Sequence, residues 1–429
     1  MDSLGVAVRL TDYGIRMRKR TIFAYAVALT LLLSVAIAPS VHANANPHDI
    51  ASTKQSHALI ELETARARGY DGRGQTIVVI DQGVQVDHPY LKEALVDGYC
   101  SSDFICPGET SKSGIAMGAV RTEPGRTNLD SHGSMVAGIA AGRGSGDIPS
   151  GIAPNASLIS INNTGGNDPG IEKALRWVLS IKDKYNIAAV SASFAVSGGG
   201  ARGGESLCRV KPVIDGLIKQ LHDAGIAFVA AAGNAGAFSN VGYPACSPYA
   251  IGVGAVDSEG AITSYSDIGK TIAVLAPADV VGASPTNSYF IGAGTSSAAP
   301  VVAGAIALLK QAMPNATVPE IRAALATSKT YLADVIWKNL PVLHLPSALN
   351  AITTGAFTRK SVTHTEIGDL TDARLAAESA LLETRGKLAK LEEELSALTS
   401  QVKRLEASER AAASKLKKIC AARPKPKGC

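Results

Sequence analysis

Short apolar runs alternate with helical patterns through the middle of the chain. Residues 76–80, 157–161, 187–191, 226–231 and 250–256 are compact and aliphatic, several of them rich in β-branched side chains. Runs of that length and composition suit parallel strands buried on both faces. Residues 136–141, 171–182, 213–224 and 298–311 carry helical periodicity between and after them. The alternation predicts an α/β fold, a doubly wound, mostly parallel sheet with helices on both faces. In such sheets ligands bind beyond the carboxyl ends of the strands. Asp81 and Asn234 both fall there, directly after apolar runs.

The pattern changes after a polar linker at 356–366. From Ile367 to Ile419 a 3-4 spacing takes over, with Leu370, Leu381, Leu388, Leu391, Leu395, Leu398, Val402, Leu405 and Leu416 on one seam. It predicts a coiled coil over 367–420, interrupted at Arg374, Thr384 and Glu409 and weakened at Gly386. Thr363 with Glu366 has the form of a capping box, and Lys415, Lys417 and Lys418 complement the dipole at the far end. A bare Leu-rich seam would aggregate, so the expected partner is a second copy of the chain. Pro424 and Pro426 stop the helix, leaving a basic Pro/Cys tail at 421–429.

At the other end, Arg16, Arg18, Lys19 and Arg20 precede an uncharged aliphatic stretch at 22–38, and Ala43-Asn44-Ala45 follows. That layout reads as a signal peptide over 1–45. Left uncleaved, it is close to spanning length and would anchor the chain to a membrane. A secreted or periplasmic location is expected, with one large domain at 46–355. The net charge of +5 is modest, and the basic excess lies at the two ends, so no basic face for nucleic acid is expected. Aromatic content is only 5%, so alanine and small aliphatic residues must fill the core. The six cysteines show no metal-ligand spacing and suit disulfides in an exported protein. Cys100 with Cys106 and Cys208 with Cys246 are the pairings we favour, although spacing alone does not fix connectivity.

The candidate chemistry lies at three junctions between apolar runs and Gly-rich turns. They are Val78-Val79-Ile80-Asp81-Gln82-Gly83, Ser131-His132-Gly133-Ser134-Met135-Val136-Ala137-Gly138 and Gly294-Thr295-Ser296-Ser297-Ala298-Ala299-Pro300. A hydroxyl, a base to take its proton and a carboxylate to orient the base are what nucleophilic acyl transfer requires. Ser296 opens a small-residue helix, where its N–H and the helix dipole face a developing negative charge. Ser297 is an adjacent competitor. His132 opens another helix behind Ser131 as cap, while His88 reads as a packing residue. Asn234, in Ala232-Gly233-Asn234-Ala235-Gly236, can donate to an oxyanion from its amide.

Taken in order, these segments resemble the subtilisin-like serine proteases over about residues 70–351. The resemblance also includes Asp87-His88-Pro89, Gly151-Ile152-Ala153-Pro154-Asn155-Ala156, Tyr243-Pro244-Ala245, Gly254-Ala255-Val256-Asp257 and Pro319-Glu320-Ile321-Arg322-Ala323-Ala324-Leu325. Any one of these is a weak signal; all of them in order are a strong one. The resemblance implies that Asp81, His132 and Ser296 form a catalytic triad, with Asn234 and the Ser296 N–H as the oxyanion hole. It implies that Ser193, Phe194 and Ala195 pair with substrate backbone and wall the primary specificity pocket. Ser297 then stands where methionine is usual, Ala195 where glycine is usual, and Met135 and Val301 where histidines are common. The family's usual N-terminal pro-domain has no room before Asp81, so folding without one, or with the C-terminal helix in its place, is expected.

The expected activity is that of an exported serine endopeptidase acting on proteins or peptides without a cofactor. Calcium is common in the family, but no oxygen-rich ligand cluster is visible in the sequence. The alternative is a catalytically inactive domain of the same fold, used as a scaffold through the coiled coil.

Overall fold

The computed structural model describes residues 46–102, 106, 113–119, 132–164, 166–195, 208, 211–237, 241–284, 286–327, 340–357 and 364–421. Within 364–421, side chains are described at 387, 391, 394–396 and 398–421. The expected signal segment at 1–45, Ser131, Thr363, and 422–429 of the expected tail lie outside the described residues. The chain divides into two units, one of residues 1–329 and 340–357, the other of 330–339 and 358–429.

The first unit opens with α1 (Pro47–Leu59) and α2 (Leu62–Ala67), then β1 (Thr76–Asp81), β2 (Leu95–Cys100), α3 (His132–Ala141), β3 (Ser157–Asn162) and α4 (Asp168–Ile181). It continues with β4 (Ile187–Ala192), α5 (Pro212–Asp223), β5 (Ala227–Ala231), β6 (Ala250–Val256) and β7 (Ile272–Pro277). The hairpin β8 (Val281–Ser284) and β9 (Ser288–Ile291) leads into α6 (Thr295–Ala312), α7 (Val318–Ala326) and α8 (Leu345–Thr354). The main sheet runs β2-β3-β1-β4-β5-β6-β7, all parallel.

Side chains alternate across a strand, and both faces of this sheet are covered. Ile77 and Val79 of β1 join one core with α3, α6, α7 and α8, while Val78 and Ile80 join the other with α4 and α5. Each fully buried aliphatic side chain of this kind contributes about 1.5–3 kcal/mol of transfer free energy. The expected doubly wound sheet is therefore the observed one. β1 lies between β3 and β4, so the chain winds out one way from β1 and returns on its other side at β4. The crevice for a ligand belongs at that switch point.

β2 and β7, the edges, were not among the expected strands. Asp97 and Gly98 break the apolar run of β2, and both are poor strand formers. β7 has an apolar run as clear as the others, and its terminal Pro277 suits an edge. α3 begins at His132 and α6 at Thr295, ahead of the apolar periodicity at 136 and 298 and in line with the junctions read as helix openings.

α1 braces the hairpin beside the site. Val281 N–H donates to Thr53 Oγ1 at 2.9 Å, and Ser56 Oγ donates to the Asp279 carbonyl at 2.9 Å. Disulfides join Cys100 to Cys106 and Cys208 to Cys246, both as expected. Among the described residues no helix is long and apolar enough to cross a membrane.

The second unit holds one long helix, α9 (His364–Ala421). It starts at His364, the residue after Thr363, the expected cap. Leu391, Leu395, Leu398, Val402, Leu405, Leu416 and Ile419 are each at least 45% exposed.

Candidate active site

The carboxyl ends of β1, β4 and β5 carry most of the expected side chains. Asp81 is the last residue of β1, held by its Oδ1 accepting from Gln82 N–H at 2.8 Å. His132 is the first residue of α3, and its Nδ1 lies 2.9 Å from both Asp81 carboxylate oxygens. The Asp81 side chain is 4% exposed and that of His132 37% exposed, so the carboxylate is sealed while the imidazole opens to the cleft. This pairing depends on a close backbone approach. A Cβ on Gly133 would collide with the Gly83 carbonyl, so only glycine lets α3 start against the turn that follows Asp81.

Ser296 lies in the first turn of α6, where N–H groups have no intrahelical acceptor and the dipole favours negative charge. Ser296 Oγ donates to the Ser193 carbonyl at 3.0 Å, and Ser193 Oγ donates to the Ser296 carbonyl at 2.8 Å. Ser193 directly follows β4, so these two bonds fasten the start of α6 to the rim of the sheet. Phe194 packs at the edge of the α4–α5 core. A Cβ built on Gly242 would come within 2.9 Å of Ala195 Cβ, so the Ala195 methyl lies directly over Gly242.

Asn234 lies in the turn after β5. Its Oδ1 accepts from Thr295 N–H at 2.8 Å and from Thr295 Oγ1 at 3.0 Å. An amide whose oxygen is engaged twice presents its NH2 end for other work. Gly294, at φ 104°, lets that amide lie against the backbone just before Ser296. Thr295 is a site residue that motif reading missed; a hydroxyl between Gly294 and Ser296 was the available signal.

The two halves of the site meet at Met135. It is 2% exposed, packs against Gly282 of β8 and against Gly292, and its Sδ is 4.0 Å from Ser297 Oγ. Ser297 is fully buried in that contact, which removes it from competition with Ser296. His88 is buried too. Its Nδ1 accepts from Tyr90 N–H at 3.0 Å and its Nε2 is 3.1 Å from the Ser288 carbonyl, a packing role. Among the described residues no group of three or more His, Cys, Asp or Glu side chains is placed to hold a metal ion.

The chain has counterparts among known proteins. The profile of the subtilase family matches residues 72–383. Subtilisin DY of Bacillus licheniformis is 30% identical over 294 residues, covering 68% of this chain and 96% of that protein. Subtilisin E of Bacillus subtilis is 31% identical over 297 residues, covering 67% of this chain and 69% of that protein. Among solved structures, that of proteases from Pseudoalteromonas arctica aligns with a TM-score of 0.57 at 25% identity, covering 68% of this chain and 94% of that one. With the family profile spanning most of its length and subtilisins among its relatives, the chain belongs to the subtilase family of serine peptidases.

Proposed function

We propose that the protein is an exported endopeptidase that hydrolyses peptide bonds through an acyl-enzyme on Ser296. His132 Nε2 takes the Ser296 proton as the hydroxyl oxygen attacks the scissile carbonyl, and the same proton passes to the leaving amine. A water then attacks the ester, His132 again acting as base and returning the proton to Ser296. Asp81 holds the proton-bearing Nδ1, which leaves the Nε2 lone pair toward the cleft and stabilises the imidazolium as it forms. Asn234 and the Ser296 N–H receive the oxyanion. Ser193, Phe194 and Ala195 line the backbone of the bound peptide.

One observation carries this reading: the sealed Asp81 carboxylate on Nδ1 of an imidazole that is itself open to the cleft. Ser296 Oγ donates to the Ser193 carbonyl in this structure, and the proposed attack requires that hydroxyl to give its proton to His132 Nε2 instead. Catalytic hydrogen bonds are often formed only once substrate is bound. The two disulfides support export, since such bonds persist in oxidising compartments. We assign 1–45 to the export signal, 46–355 to the peptidase domain and 421–429 to a basic tail.

A fluorophosphonate probe tests the assignment. It is expected to label the parent protein and not Ser296→Ala, with His132→Ala also unlabelled. Equal labelling of Ser296→Ala would move the nucleophile elsewhere. No labelling of folded parent protein would favour the inactive scaffold, the reading that the exposed seam of α9 supports. In either reading we assign that seam to pairing with a second copy of this chain.

A further inference from the structure

We infer that Asp267 is a positioning residue for Asn234, holding the peptide groups on both sides of it and so fixing where its amide points. The inference rests on the reading of Asn234 as an oxyanion donor.

Asp267 lies in Ser264-Tyr265-Ser266-Asp267-Ile268-Gly269, between β6 and β7, and is 2% exposed. Its Oδ1 accepts from Ala235 N–H at 2.9 Å and from Ala237 N–H at 2.8 Å. Its own N–H donates to the Gly233 carbonyl at 3.0 Å. The Gly233 carbonyl belongs to the peptide group before Asn234, and the Ala235 N–H to the one after it. One residue thus fixes both planes that set the direction of the Asn234 side chain. Gly236 N–H donating to the Tyr265 carbonyl at 2.8 Å, and Ile268 N–H to the Ala237 carbonyl at 2.7 Å, close the rest of the turn.

The fit beneath the turn is tight. Gly233 has φ 115°, and a Cβ there would collide with Asp267 Oδ2, so the carboxylate occupies the space a side chain would need. Burying a carboxylate is costly unless hydrogen bonds compensate. Burial pushes the Asp267 pKa up while the two amides oppose it. Asn234 is then held at both ends, its amide oxygen by Thr295 and its backbone by Asp267. Misplacing a catalytic group by about 1 Å can cost about a hundredfold in rate. A turn released on one side should lose part of that.

The test is a double-mutant cycle on turnover of a peptide substrate, with Tm measured for every variant. Asp267→Ala is expected to lower kcat about tenfold or more and leave KM within about twofold, the pattern of lost transition-state binding. Asp267→Asn keeps the accepting oxygen and the length, so its kcat stays within about threefold. In an Asn234→Ala background, Asp267→Ala should cause no further loss, because the donor it positions is gone. Should Asp267→Ala not fold, Asp267→Ser, whose oxygen cannot reach both amides, takes its place in the cycle. The same fold-loss in both backgrounds, with Asn234→Ala itself impaired, overturns the positioning role alone. Unimpaired Asn234→Ala removes the oxyanion assignment, and the positioning role falls with it.

Discussion

Ser193 supplies a hydrogen bond that Pro300 denies to Ser296. In a regular helix the Ser296 carbonyl would accept from the N–H four residues on, but that residue is Pro300, which has none. Ser193 Oγ donates to that carbonyl instead, at 2.8 Å. Pro300 lies inside the helix, and the hydroxyl just past the end of β4 satisfies the acceptor that it leaves behind.

Ser193→Ala should therefore destabilise the fold by about 1–3 kcal/mol, the cost of leaving a buried acceptor unpaired. Urea unfolding in a Ser296→Ala background, which prevents self-digestion, measures it. The cost should shrink when Pro300→Ala restores the helical N–H. An equal cost in both backgrounds would dissociate Ser193 from the proline.

Primary specificity should be for small side chains. The Ala195 methyl lies over Gly242, where a wider slot would need open space. Peptides with Ala before the scissile bond should be cleaved with higher kcat/KM than those with Phe. Ala195→Gly should raise the Phe-to-Ala ratio by about tenfold, the scale of one methyl in an apolar pocket. An unchanged ratio would remove Ala195 from the pocket wall.

How much of this was legible depended on the kind of interaction. The buried strands announced themselves because both their faces are apolar, so 76–80 and 250–256 stood out as runs. Asp81, His132 and Ser296 stand out as candidates because each sits where an apolar run meets glycine. Asp267 was not, because its role consists of backbone amides far away in sequence, Ala235 and Ala237. Neither was α1 as a brace: its contacts to β8 and the preceding turn run through Thr53 and Ser56, hydroxyls that carry no periodic signal.

Acid should weaken the fold through His57 of α1. It is 5% exposed and its Nε2 is buried without a hydrogen-bond partner. Burial, reinforced by the Arg66 guanidinium, pushes its pKa down from 6.5 to about 3. Between those values the unfolded chain binds a proton that the folded chain refuses, so stability falls as pH drops through the window and is complete above it. At about pH 4.5 the loss from this group is on the order of 3 kcal/mol. His57→Phe should flatten that acid limb in denaturant titrations at pH values spanning the window. An unchanged limb would place the acid sensitivity in other groups.

The seam of α9 should pair chains. Leu391, Leu395, Leu398, Val402 and Leu405 alternate steps of four and three, and each is more than half exposed in a single chain. That spacing keeps one stripe facing a partner along the helix, and burying Leu pairs there is the main source of association energy. Sedimentation of the full chain should show an oligomer at micromolar concentration, and Leu398→Glu should dissociate it by placing like charges in the middle of the seam. Cleavage of a short peptide should be unaffected, because the helix carries none of the proposed catalytic groups. A parent chain that sediments as a monomer would leave α9 without the second copy assigned to it.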